Sequence, residues 1–206
     1  TYLIATKPQI HEKIFSQLKD KISNNNNLLI ISILAGVATL KIENFLGDLP
    51  IVRTMPNLAV SEASGMSALF ANRHVNSKDK KTSSIIFGSV GEYIWVKDEK
   101  ILDVITAISG SGPAYYFYLT ECLCKIAIEL GIDKESALLI TRQVAIGSGD
   151  IIRASKDSPL TLRKNVTSKG GTTEAAFKQI INKNEDFYNI LMNAVKNAIK
   201  KSHELS

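Results

Sequence analysis

The sequence predicts an α/β protein: part of a doubly wound sheet domain over residues 1–99, followed by an all-helical domain over residues 100–206. Three observations predict it. From Thr1 to about Asp98, short apolar runs alternate with polar stretches at the spacing of strand–helix–strand crossovers. From about Lys100, apolar residues recur instead at three- and four-residue intervals. No G-x-G-x-x-G loop follows a strand, so the sheet is read as lacking the glycine turn with which such folds hold a pyrophosphate. Gly110-Ser111-Gly112 is only G-x-G, and it precedes the helical half.

The sheet half begins with Tyr2–Ala5, an expected strand. Residues 9–22 follow as an amphipathic helix with Ile10, Ile14, Leu18 and Ile22 at four-residue spacing, stopped by Ser23 and four asparagines. Leu28 to Leu34 is apolar enough to be a strand buried on both faces, and Pro50 to Thr54 is a third strand. Strand, helix, strand at this spacing implies a parallel sheet. Residues 65–72 and 92–97 read as further strands. Residues 77–90 fit a helix with Ile86, Phe87 and Val90 inward. The chain opens at Thr1 inside an apolar run, and reads as an excerpt from something longer.

In the second half Pro113 is expected as a first helical residue, leading into the stripe Leu119, Cys122, Leu123, Ile126, Leu130 that ends at Gly131. Asp133 is an N-cap for the next helix, whose inner face is Ala137, Thr141, Ala145, Ser148 and Ile152. Gly147 and Gly149 lie inside that helix, where each costs about 1 kcal/mol relative to Ala. Such a cost is offset when the small residues admit another helix closely, including one from a second subunit. Ser158-Pro159 caps a short helix, Thr172 or Thr173 opens another, and residues 186–202 form the last.

Several function classes are excluded by composition. The formal charge is +5, but residues 1–100 carry 12 basic and 9 acidic side chains and residues 101–206 carry 13 and 11, so no basic stripe exists for nucleic acid. No apolar run approaches a membrane span, and no signal-peptide pattern is present. Cys122 and Cys124 are two apart on one predicted helix and do not face each other, which argues against a disulfide or a shared metal. His11, His74 and His203 have no metal-ligand spacing. A reducing, cytoplasmic compartment fits.

Three segments could carry chemistry. Ser109 to Tyr115 reads as a flexible turn feeding a helix N-terminus, suited to a carboxylate or phosphate, or simply as a tight interdomain turn. Asn165 to Glu174 places four hydroxyls and two adjacent glycines ahead of a helix, a build for a small anion such as an amino-acid carboxylate. It serves equally as an N-cap with Thr172 or Thr173 as the cap. Ala5 to Gln9, Leu34 to Val37 and Arg53 to Asn57 follow strands, where α/β sheets bind ligands. No Ser-His-Asp or Cys-His arrangement and no poised carboxylate pair stands out. That favours hydride transfer, in which the protein mainly positions and shields its reactants.

The stretches SGSGPAYYFY at 109–118 and VTSKGGTTEA at 166–175 are similar to the two helical-domain signatures of pyrroline-5-carboxylate reductase. ATKPQ at 5–9, LAGV at 34–37, PIVRTMPN at 50–57 and EYIWVKDE at 92–99 resemble that family in the same order. The resemblance implies an incomplete Rossmann-type domain and a helical dimerisation domain. It implies reduction of 1-pyrroline-5-carboxylate to L-proline with NADPH or NADH, in a homodimer that can assemble into a decamer. Ser168, Gly171, Thr172 and Thr173 would surround the substrate, with Thr173 as the hydrogen-bond partner of the ring nitrogen. Lys7, Pro8, Ala35, Gly36 and Asn57 match positions lining the nicotinamide half of the cofactor groove, and Asn165 helps on the cofactor side. Two departures stand out: Asn57-Leu58-Ala59 where Asn-Thr-Pro is usual, and Lys169 where Pro is common. A non-catalytic oligomerisation fragment is the alternative. A nicotinamide dehydrogenase acting on hydroxy acids is disfavoured, since the loop is built of threonines where such enzymes rely on a lysine.

Overall fold

The computed structural model describes residues 1–6, 10–22, 28–181 and 186–204. These divide into two compact units, one of Thr1–Pro113 with Val195–Ser206 and one of Ala114–Ala194.

The first unit is a five-stranded sheet in the order β1-β2-β3-β4-β5: Tyr2–Ile4, Ile30–Ser32, Ile51–Pro56, Gly65–Ala71 and Gly91–Val96. Strands β1, β2 and β3 run parallel, joined through α1 (His11–Ile22) and α2 (Thr39–Leu46) as the crossover spacing requires. The expectation of a wholly parallel sheet fails at β4, which is antiparallel to β3; β5 is parallel to β4. The reason is the link. Only residues 57–64 separate β3 from β4, too short for a crossover, and they close a hairpin around a 3-10 turn at Leu58–Glu62. Leu58 and Ala59 sit in this turn, after Asn57 as its N-cap.

Strand β2 is buried on both faces, as its unbroken apolar run predicts. One face packs Ile4, Ile30 and Ile51 against Phe15, Leu18 and Ile22 of α1 and Ile42 of α2. The other packs Ile31, Val52 and Leu69 against Phe87 of α3 (Ser77–Gly88), with Ile86 and Val90 partly buried beside it. Each fully buried Ile, Leu or Phe stabilises the fold by about 1.5–3 kcal/mol. The inward stripe of α1 is centred on Phe15 rather than Ile14, and Ile10 is exposed. Strict four-residue steps drift around a 3.6-residue helix, whereas Phe15, Leu18 and Ile22 stay on one face.

Gly65 and Gly91 open β4 and β5 as paired partners, and Gly91 holds φ +143. A Cβ at Gly91 would meet the backbone of Gly65. Gly91→Ala is therefore expected to cost about 3 kcal/mol or more, from left-handed strain and a backbone clash together. A urea melt like that of the wild type would refute this.

The rest of the chain is helical: α4 (Ile101–Ile105), a π-turn at Thr106–Gly110, α5 (Gly112–Glu129), α6 (Lys134–Ala154), α7 (Pro159–Asn165), α8 (Thr172–Ile180) and α9 (Phe187–Glu204). Pro113 is the second residue of α5, after Gly112. Asp133 caps α6 as expected, and the Ser136 N–H bond to its side chain holds the carboxyl below its usual range. Ser158 caps α7.

The apolar faces of α5 and α6 are the surprise in the second unit. Ala137 and Thr141 are buried, but Ala145, Ser148 and Ile152 are exposed, as are Leu119, Leu123 and Ile126. Phe117, Leu138 and Ile146 flank a largely apolar groove of about 560 Å³ between α5 and α6. A Cβ at Gly147 or Gly149 would meet nothing within 4 Å, so the close approach those glycines suggest is not made by the described residues. An apolar face this continuous marks an interaction surface.

Candidate functional site

Because β1, β2 and β3 run parallel, their carboxyl ends at Ile4, Ser32 and Pro56 lie along one edge of the sheet. This is the edge at which open α/β sheets take ligands. Lys7 and Pro8 follow β1 but lie outside the described residues. Beyond β2 the chain turns through residues 34–38. There Gly36 is buried at φ +74, which a side chain would strain, Ala35 is half-buried, and Leu34 and Val37 enter the core. Asn57 spends its side chain on the protein: the Met66 N–H donates to its Oδ1 at 3.1 Å, and its Nδ2 donates to Ser109 Oγ at 3.4 Å.

Toward the same edge, Thr6, Thr54 and Ser67 bury hydroxyl oxygens that have no hydrogen-bond partner among the described residues. Thr6 follows β1, Thr54 lies two residues before the end of β3, and Ser67 pairs with Pro56, the last residue of β3. An unpaired buried polar group costs about 1–3 kcal/mol. Three of them toward this edge fit a surface completed by a polar ligand, and the amide, ribose and phosphates of a nicotinamide dinucleotide match that chemistry.

Arg53 lies inside β3, as the reading of Pro50 to Thr54 as a strand has it and not past the strand end, and is buried on the α1–α2 face. Its guanidinium donates to Glu99 Oε1 at 3.0 Å and pairs with Asp103 Oδ1 at 3.6 Å. Glu99 accepts in turn from the Thr39 N–H and Thr39 Oγ1, each at 2.8 Å. Asp103 accepts from Ser202 Oγ at 3.0 Å, with His203 Nε2 at 3.4 Å from its other oxygen. None of these partners is near Arg53 in sequence, and no local signal marks Thr39, Glu99 or Asp103. The sole hint was a charge inside an otherwise apolar strand.

The loop between α7 and α8 is built more tightly than its composition suggests. Asn165 is the exposed last residue of α7. Thr167 donates its hydroxyl to the Arg163 carbonyl at 2.7 Å, and Arg163 lies over the Phe177 ring at 5.0 Å, tying α7 to α8. Gly170 holds φ +75, and its N–H donates to Glu174 Oε2 at 2.9 Å. The Gly171 N–H donates to the Ser168 carbonyl at 3.0 Å, and a Cβ at Gly171 would lie 2.6 Å from Ser168 Oγ. The N-cap is Gly171, not a threonine; Thr172 and Thr173 are the first two helical residues. The first intrahelical bond is that of the Ala175 N–H to the Gly171 carbonyl, so the amides of Thr172 and Thr173 precede it and face out of the positive helix end. The hydroxyls of Ser168, Thr172 and Thr173 make no hydrogen bond with any described residue. Only Thr167 among the four has spent its own.

The segment Ser109–Gly112 leads into the start of α5 at Gly112, with part of its backbone already committed. It runs through the π-turn directly into α5, and the Ser111 N–H is consumed by the Thr106 carbonyl at 2.9 Å. Glu43, Asp48 and His74 form an acid–histidine cluster, but Arg73 already supplies the cation, at 3.2 Å from Asp48 and 3.8 Å from Glu43. Cys122 and Cys124 are free thiols. Among the described residues, no helix is long and apolar enough to cross a membrane.

Residues 99–205 match the family model described as pyrroline-5-carboxylate reductase dimerisation. The chain is 34% identical over 205 residues to a pyrroline-5-carboxylate reductase of Pseudomonas aeruginosa, covering 99% of this chain and 74% of that protein. A solved structure of a pyrroline-5-carboxylate reductase from Coxiella burnetii superposes with a TM-score of 0.91 at 38% identity, over 99% of this chain and 75% of that one. The pyrroline carboxylate reductase of Plasmodium falciparum, solved with NADP bound, gives a TM-score of 0.85 at 32% identity, over 98% and 80%.

Proposed function

The chain belongs to the pyrroline-5-carboxylate reductase family, and on that premise we propose that it reduces 1-pyrroline-5-carboxylate to L-proline, the last step of proline biosynthesis. The observation that carries the substrate end of this reading is the start of α8. Three hydroxyls and two leading amides stand there uncommitted, at a helix end that favours an anion.

The substrate is a five-membered cyclic imine bearing a carboxylate. The amides of Thr172 and Thr173, with the Ser168 and Thr172 hydroxyls, hold the carboxylate. Gly171 keeps the chain close enough to Ser168 for those groups to converge. The protonated ring nitrogen donates its N–H to Thr173 Oγ1, which turns the C=N carbon toward the reductant. NADPH or NADH, when bound, supplies the hydride. The hydride adds to that carbon, the C=N π electrons pass to nitrogen, and the positive charge disappears. Thr173 follows the nitrogen from iminium to amine without itself changing protonation. Lys169 adds an exposed positive charge on the same loop, which draws the anionic substrate in.

The cofactor is assigned to the carboxyl edge of β1–β3, with Lys7, Pro8, Ala35, Gly36 and Asn57 beside it and Asn165 on the cofactor side of the helical loop. Residues 1–99 then form the dinucleotide-binding part and residues 100–206 the dimerisation and substrate part. The exposed faces of α5 and α6 fit a second copy of the chain, in a homodimer that assembles further into a decamer. The reaction needs no membrane, and two free thiols suit the reducing cytoplasm.

The test is direct. Purified protein given 1-pyrroline-5-carboxylate with NADPH, then with NADH, is expected to oxidise the cofactor only when substrate is present and to form proline in equal amount. A folded, self-associating protein that turns over neither cofactor would instead favour the oligomerisation fragment, which the same apolar faces allow.

A further inference from the structure

Helix α2 begins without a cap of its own. Ala38 occupies the N-cap position and has no polar side chain to offer. Glu99, 60 positions away, does the capping instead: its two carboxylate oxygens take the N–H and the hydroxyl of Thr39, each at 2.8 Å. A carboxylate at a helix N-terminus also complements the helix dipole. Arg53 at 3.0 Å balances the charge that Glu99 brings into a partly buried place, and Asp103 shares that guanidinium. One carboxylate thereby ties β3, the start of α2 and the chain ahead of α4.

What this cap fixes is the turn over residues 34–38. The turn is anchored by Leu34 and Val37 in the core, bends at Gly36, and ends where Thr39 enters α2. Resting on the cofactor assignment above, we propose that Glu99 is a positioning residue for the nicotinamide cofactor. Through Thr39 it holds the 34–38 turn in the shape against which the cofactor docks, and Arg53, at 3.0 Å, keeps Glu99 aimed.

Two variants separate this role from general stability. Glu99→Ala removes both acceptors; Thr39→Val removes only the hydroxyl half and leaves the Arg53–Glu99 pair in place. The full chain is titrated with NADPH by calorimetry, and amide exchange of residues 34–42 is followed by mass spectrometry. Glu99→Ala is expected to raise the Kd for NADPH by about fivefold to tenfold, the scale of a lost cap. It also speeds exchange in 34–42 while β4 exchanges as in the wild type. Thr39→Val moves both readouts in the same direction by less, with an unchanged Tm. Wild-type Kd in both variants would overturn the inference alone, as would faster exchange spread evenly over every strand. A wild-type protein that binds neither NADPH nor NADH would overturn the cofactor assignment and this inference together.

Discussion

Replacing Arg53 with methionine is expected to lower the stability of the protein by about 3–5 kcal/mol, more than half of what a marginal domain has to spare. The methionine fills most of the volume, so the loss is electrostatic. Glu99 and Asp103, the latter's side chain only 11% exposed, are left without the guanidinium they share. His203, mostly exposed, stays 3.4 Å from Asp103. Urea melts of both proteins measure this. A deficit below about 1 kcal/mol, the range of an exposed ion pair, would mean that solvent reaches the cluster.

This cluster also marks the boundary of what the sequence makes legible. Elements that arise from local periodicity were readable: the crossovers around Leu28–Leu34, the inward Phe87 of α3, the Asp133 cap. Each depends on residues within one or two turns of each other. Where short range misleads, it does so for a physical reason. Gly110 and Gly112 look like a flexible turn because their type permits one, yet Gly110 closes the π-turn and Gly112 opens α5, with only Ser111 between them. Gly171 takes the cap that two threonines seemed to claim, because a Cβ there would run into Ser168 and the threonines are thereby moved one turn-position inward. Arg53, Thr39, Glu99 and Asp103 carry no periodic signal at all; what joins them is a sheet register and a helix start brought together across 46 to 60 positions. The apolar stripes of α5 and α6 were legible as stripes, but a stripe does not say whether its cover comes from the same chain. Here Leu119, Leu123 and Ile152 are left uncovered by the described residues.

Thr173 is the position where the strongest catalytic effect is expected. Thr173→Val keeps shape and β-branching, so α8 loses little, within about 0.5 kcal/mol for a substitution that breaks no bond inside the chain. No described residue uses the Thr173 hydroxyl, and the helix cap belongs to Gly171. The hydroxyl is thus free for the ring nitrogen, and its loss leaves the imine held by its carboxylate alone, turned without preference. Turnover is expected to fall roughly 100-fold, the scale of losing one well-placed polar partner at a reacting centre. KM should change little, because the carboxylate contacts remain. Thr172→Val should do the reverse, raising KM with a smaller effect on turnover, since its hydroxyl is the one proposed for the carboxylate end. Thr173→Ser, which restores a hydroxyl at the same place, should recover most of the rate. Steady-state kinetics and a melting curve for the three variants decide it. If Thr173→Val turned over normally and melted several degrees lower, the hydroxyl would be serving the helix, and the partner of the ring nitrogen would have to be sought elsewhere on the loop.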